Sequence, residues 1–179
     1  MSGRTRVERY APGEEVADPR SGDVLLVRGR CWPSRFIRLA ERRRPRADRP
    51  YGYWSHCALV AGSNGLLIEV TSKGVVVRHV SGHRNEEYHF LRLDRSEAER
   101  IGAVLYTLPF VGRRYAVLSF LRLGWNLVIR RPRLRTRDRG QQVCASLVGR
   151  ALERAGERFA VPPHDLMAAD VAKHFGVTP

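Results

Sequence analysis

Between Trp54 and Leu93 the chain breaks into short β-rich runs separated by turn residues, and no other feature restricts the fold as much. Ser55–Ala61 and Leu66–Thr71 flank Gly62-Ser63-Asn64-Gly65, a glycine-bounded turn of hairpin length. A second turn at Ser72-Lys73-Gly74 leads into Val75–Val80, and Tyr88–Leu93 forms a further run. Turns this short leave no room for a crossover helix between neighbouring strands, so the spacing predicts an antiparallel meander. Val24–Val27, following the turn Ser21-Gly22-Asp23, is short, apolar and rich in β-branched residues, which predicts one more buried strand.

Helical signals lie on either side of the strands. Pro33-Ser34 followed by Phe36, Ile37, Leu39 and Ala40 suggests a short helix, and Asp94 or Ser96 can cap another that runs through Ile101, Val104, Leu105 and Leu108. Its first turn carries Glu97 and Glu99, which suit the positive end of the helix dipole. Tyr115–Ile129 is a longer apolar stretch that reads as helical. In Gln141–Gly156, apolar residues recur at Val143, Leu147, Val148, Ala151, Leu152 and Ala155, the spacing of a helix with one buried stripe, and Gly156 is its C-cap. Pro162-Pro163 opens a tail with a final short helix ending at Lys173 or His174. The expected fold is α+β, an antiparallel sheet of about 4–6 strands packed against helices. Residues 1–20, polar and punctuated by Pro12, Gly13 and Pro19, are expected to be an irregular lead-in to one domain over 21–179, a length suited to a single core.

The charge is lopsided, with 32 Lys and Arg against 18 Asp and Glu, a formal +14. Arg42–Arg49 and Arg130–Arg139 concentrate it in segments that cannot enter a core. Such clusters attract phosphate, whether of nucleic acid or of anionic lipid. Arg131, Arg133 and Arg135, directly after the apolar Tyr115–Ile129 stretch, are the candidates for contact with an anionic surface. Against nucleic acid stands the absence of a zinc-finger pattern, an aromatic RNP-like strand or a clear helix-turn-helix. No apolar stretch follows the first basic residues, so a secretory leader is not expected, and Arg122 interrupts the apolar stretch before it reaches membrane-spanning length. Cys31, Cys57 and Cys144, an odd set without a C-x-x-C pair, suggest a reducing compartment. The expected location is therefore the cytoplasm, with peripheral membrane contact as the alternative.

Cys144 is the chemically interesting thiol. Placed in the first turn of the Gln141–Gly156 helix, it faces unpaired N–H groups that favour its thiolate. Taken alone, a free cysteine is as readily a small buried hydrophobe. A nucleophilic thiol needs a base, and the base needs a third group to orient it. His56, on the first strand of the hairpin, is the candidate base. Glu69, on its partner strand between Ile68 and Val70, is costly to bury unless paired, and His56 could be that pair; His79 on the next strand is the rival. Cys57 should point to the opposite face from His56 and belong to the core. His83, His89, His164 and His174 are scattered without metal-ligand spacing, so neither a metal nor another cofactor is expected.

In order, S-G-D-V-L-L-V (21–27), S-H-C-A-L-V (55–60), L-I-E-V (67–70), G-R-R-Y (112–115) and V-C-A-S-L-V (143–148) resemble the circularly permuted papain-like hydrolases. These are the bacterial YiiX-like proteins, relatives of NlpC-type cell-wall peptidases and of lecithin–retinol acyltransferase. The resemblance implies a permuted papain-like fold in which the histidine precedes the cysteine. It also implies Cys144 as nucleophile at a helix N-terminus, His56 as base and Glu69 as third member, with Tyr115 and Trp54 lining the substrate site. The implied activity is that of a thiol hydrolase or acyltransferase on an amide, ester or thioester, with a peptide-like or acylated-lipid substrate. The competing expectation is a basic module that binds nucleic acid or an anionic membrane and has a structural cysteine.

Overall fold

A computed structural model describes residues 5–30, 34–35, 38–39, 46–113 and 144–179. It is α+β: six antiparallel strands in one open sheet, with helices against one face. In chain order the strands are β1 (Arg6–Tyr10), β2 (Val24–Arg28), β3 (His56–Val60), β4 (Leu66–Thr71), β5 (Gly74–His79) and β6 (Glu87–Arg92). Among the described residues, besides helical turns at 34–35 and 38–39, the helices are α1 (Glu97–Thr107), α2 (Cys144–Arg154) and α3 (Ala168–His174). Ser96 caps α1 reciprocally: its hydroxyl accepts from the Glu99 N–H at 3.3 Å, and the Glu99 carboxylate accepts from the Ser96 N–H at 2.9 Å. Gly156 adopts φ +87° after α2, a conformation open to glycine at little cost, and so ends the helix where its sequence pattern ends.

Two expectations are corrected. The lead-in over 1–20 is not wholly irregular, because Arg6–Tyr10 forms β1 and pairs with β6 from Arg6↔Arg92 to Tyr10↔Tyr88. Its alternating charges hid it in the sequence, and its partner explains them: Arg92 binds Glu8 at 2.9 Å and Tyr10 stacks on Tyr88 with ring centroids 5.1 Å apart. The domain therefore includes residues before Ser21. The meander is also incomplete. β2 through β5 are sequential neighbours, but the next strand leaves β5 and returns to lie between β1 and β2, giving the order β1-β6-β2-β3-β4-β5. A short 3₁₀ turn, Val80–His83, begins this return.

Side-chain alternation divides the core in two. Val24, Leu26, Cys57, Leu59, Ile68 and Val70 meet Ala145, Leu147, Val148, Ala151 and Leu152 of α2 and Val171 of α3. Leu25, Val27, Ala58, Val60, Leu67 and Phe90 face the other way and are covered by Val16 and Val80. Gly149 allows α2 to approach the tail closely, since a Cβ there would lie 2.3 Å from a Leu166 methyl. Among the described residues no helix is long and apolar enough to cross a membrane.

Candidate active site

β3 is laddered to β2 through Val27↔His56, but to β4 only at Leu59↔Ile68 and Val60↔Leu67. The start of β3 is thus open on its β4 side, and α2, which packs across β3 and β4, brings its first residue, Cys144, to this opening. Cys144 is half-buried there. Its sulfur adjoins the Cys57 thiol and backbone and the His56 side chain, which together govern its protonation. A sulfur seated against the backbone at the strand's open edge explains how two successive residues with opposite side-chain directions both reach it.

His56 joins the thiol to a carboxylate. Its Nε2 donates to Glu69 Oε2 at 2.7 Å, which leaves Nδ1 for Cys144. The imidazole retains 19% side-chain exposure whereas Glu69 is 1% exposed, so the site is sealed behind the carboxylate and reachable from the histidine and cysteine. Glu69 is held from three directions: besides His56, His83 Nε2 lies 3.1 Å from the same Oε2, and Arg78 donates to Oε1 at 3.2 Å.

These contacts set the protonation states. A hydrogen bond from Cys57 and the neighbouring His56 imidazolium outweigh burial and hold the Cys144 thiol well below its ordinary range. The same hydrogen bond, reinforced by burial, raises the Cys57 thiol, so Cys57 keeps its proton and donates it. Burial works against a charged His56, but the Cys144 thiolate and then Glu69 overcome it and push the imidazolium up to about 10. Burial also opposes ionisation of Glu69, yet hydrogen bonds from His56 and His83 keep its carboxyl well below the usual carboxylate range. The arrangement is a thiolate–imidazolium pair backed by a buried carboxylate.

Of the residues singled out in the sequence, the structure brings Cys144, His56 and Glu69 together. His79, the rival third member, points elsewhere: its Nδ1 meets the Ser81 hydroxyl at 2.8 Å and accepts from the Ser81 N–H, fastening the exposed turn after β5. Cys57 is buried in the helix-facing core as expected, but its contact with Cys144 was not foreseen. Trp54 is a correction. It is fully buried, its indole N–H donates to the Val177 carbonyl at 3.1 Å, and its ring packs 4.4 Å from that of His89, so it has no surface to offer a substrate. Tyr115, Arg131, Arg133, Arg135, Cys31 and the Tyr115–Ile129 stretch lie outside the described residues.

His83, Arg78 and Glu86 were missed. The first two are far from His56 in the chain and carry no motif; the only local signal was His83 and Glu86 at a separation of three, which the structure uses for a 2.8 Å contact. The absence of metal-ligand spacing did not foreshadow that His56, Glu69 and His83 would place their donor atoms within 4.8 Å of one another. A divalent ion could be held by this set, but the three groups already satisfy one another by hydrogen bonding. An open depression of about 700 Å³ lies along the β1–β6 edge, between Arg6, Tyr10, Arg20 and Arg95, and involves none of the site residues.

Comparison of the chain with protein families and with curated proteins finds no match to either.

Proposed function

We propose that the protein is a thiol hydrolase or acyltransferase that acts on an amide, ester or thioester through an acyl group carried on Cys144. The observation that carries this reading is the position of His56, which adjoins the Cys144 thiol and is hydrogen-bonded at 2.7 Å to a buried carboxylate. The chain order supports assignment of the fold to the circularly permuted papain-like class: the histidine strand precedes the cysteine helix that packs on it.

The chemistry follows from the protonation states. The Cys144 thiolate attacks the acyl carbon and forms the S–C bond, while the carbonyl π electrons move to oxygen. The backbone N–H of Cys144 is the nearest candidate to donate to that oxyanion. As the tetrahedral intermediate collapses, the bond to the leaving group breaks and His56 transfers its proton to the departing nitrogen, oxygen or sulfur. Water, or an acceptor amine or alcohol, then attacks the acyl-enzyme; His56 takes its proton and the thiolate departs. Glu69 keeps the imidazole in one orientation throughout and favours its charged form. Peptide-like amides and acylated lipids are the substrate classes, and the arginine run containing Arg131, Arg133 and Arg135 favours a substrate presented at an anionic surface.

The test is a p-nitrophenyl ester and an acyl thioester offered to wild type, Cys144→Ala and His56→Ala, with the intact protein weighed during turnover. The expected result is an acyl adduct on Cys144 in wild type, no adduct or turnover in Cys144→Ala, and a large loss of rate in His56→Ala. Equal hydrolysis by wild type and Cys144→Ala would overturn the proposal.

A further inference from the structure

The scheme above leaves one buried ionisable side chain of the site without a task. His83 is 5% exposed and ends the short turn by which the chain leaves β5. Both of its ring nitrogens are engaged: Nε2 lies 3.1 Å from Glu69 Oε2, and Nδ1 lies 2.8 Å from Glu86 Oε2. The other oxygen of Glu86 accepts from the Arg30 backbone N–H at 2.9 Å, which ties the assembly to the segment after β2. His83 therefore reaches the same carboxylate oxygen as His56, from a ring anchored at its rear.

We propose that His83, backed by Glu86, is a positioning residue that fixes the Glu69 carboxylate so that Oε2 faces His56. The inference rests on the thiol-hydrolase reading and adds a fourth member to its Cys–His–Glu line.

The physical need is clear. A glutamate carboxylate ends a chain of three rotatable bonds, and a hydrogen bond to His56 alone would join two side chains that can move together. Arg78 holds the other oxygen, but its side chain is 49% exposed, and ion pairs of exposed side chains restrain little. His83 is rigid, buried and braced against a second carboxylate, which makes its Nε2 the fixed point of the group. The arrangement resembles the way an outer carboxylate orients a functional histidine, extended by one step. A simple charge effect would move the Cys144 midpoint in the same direction, because a protonated His83, its ring 5.9 Å from that of His56, opposes further protonation of the cluster, and its loss raises the proton affinity of the Cys144–His56 pair. His83→Ala and His83→Gln both remove that charge, but only the glutamine keeps a donor for Glu69, so the difference between the two variants separates positioning from charge. The charged groups facing His83 are Glu69 from β4, Glu86 from its own connection and His56 from β3.

The experiment follows the rate of Cys144 alkylation by iodoacetamide against pH in the full chain, mapped by mass spectrometry, and requires no substrate. Wild type is expected to alkylate with a midpoint well below that of an ordinary thiol. His83→Ala is expected to raise that midpoint by about one unit, roughly a tenfold slowing at a fixed pH on the acid limb. His83→Gln, whose amide can still donate to Glu69, is expected to raise the midpoint clearly less than His83→Ala. Should His83→Ala fail to fold, Glu86→Ala removes only the rear support and is expected to raise the midpoint in smaller measure. A wild-type or lowered midpoint in the alanine variant, or an equal rise in His83→Gln, would overturn the positioning role. His56→Ala is the control for the underlying reading: an unchanged midpoint there would remove the Cys144–His56 pair itself, a failure distinct from that of His83.

Discussion

Glu69→Gln is the most informative single change to the fold, because it keeps the shape of the side chain while removing its charge and turning one acceptor oxygen into a donor. In the native protein the carboxylate accepts from His56 at 2.7 Å, His83 at 3.1 Å and Arg78 at 3.2 Å while almost wholly buried. Hydrogen bonds of this charged kind contribute roughly 1.5–3 kcal/mol each. The full sum is not lost, since both histidines can release their protons and Arg78 can turn to solvent. A loss of about 3 kcal/mol near pH 6 is the expected net effect. Its pH dependence is the sharper part. Glu69 raises the affinity of His56 and His83 for protons, so their contribution to stability is complete below the ordinary histidine value of 6.5 and fades as pH rises through their folded values, which for His56 is about 10. At the acid end, Glu69 itself is depressed, so its contribution is present above the ordinary value of 4.5 and fades as pH falls further. The stability gap between wild type and Glu69→Gln should thus be widest between about pH 4.5 and 6.5 and should narrow towards pH 10. Urea denaturation of both proteins at four or five pH values measures it. A gap that is flat with pH, or below about 1 kcal/mol at pH 6, would refute the assignment of Glu69 as the charged hub of the site.

Two other predictions concern the frame. His89 is buried beside Trp54 and held down to about 4, chiefly by desolvation and then by Arg9, so the fold keeps it neutral. The unfolded chain takes up that proton below 6.5, and stability attributable to this site should be complete above 6.5 and decline by about 3 kcal/mol as pH falls to 4; His89→Phe should flatten that part of the pH profile, and an unchanged slope would show that His89 is not its source. Ser96→Ala removes the reciprocal cap of α1 and should cost about 1 kcal/mol in urea denaturation, with no change in the alkylation of Cys144; a loss within error of zero would mean that the cap is replaced by water at no cost.

Much of the fold was legible because it rests on local signals. The runs at Leu66–Thr71 and Val75–Val80 became β4 and β5 almost residue for residue, since a short turn leaves neighbouring strands no alternative partner. Ser96 with Glu99, and the apolar stripe closed by Gly156, marked α1 and α2 by chemistry that acts within a few residues. β1 was not legible, because a strand reading R-V-E-R-Y becomes one only when Arg92 and Tyr88 are supplied from a distant segment. Trp54 was misjudged for a similar reason: a tryptophan beside a candidate histidine could face either a substrate or the core, and only the Val177 carbonyl at the far end of the chain settles which.

The sequence by itself determined the residue types from which a thiol site can be made: a cysteine on an amphipathic helix, a histidine and a glutamate on adjacent hairpin strands, and their order in the chain. Hairpin pairing is local, so once the Gly62–Gly65 turn formed β3 and β4 were bound to adjoin, with His56 and Glu69 on the same face of the sheet. Only the tertiary structure decided that Glu69 rather than His79 backs the histidine, that the Cys57 thiol lies against Cys144, and that His83 and Glu86 close the line from behind. Each of those outcomes depends on how the chain leaves β5 to reach β6 and where α2 lies across the sheet. Such choices are set by the packing of the whole core, and no short-range pattern of residues encodes them.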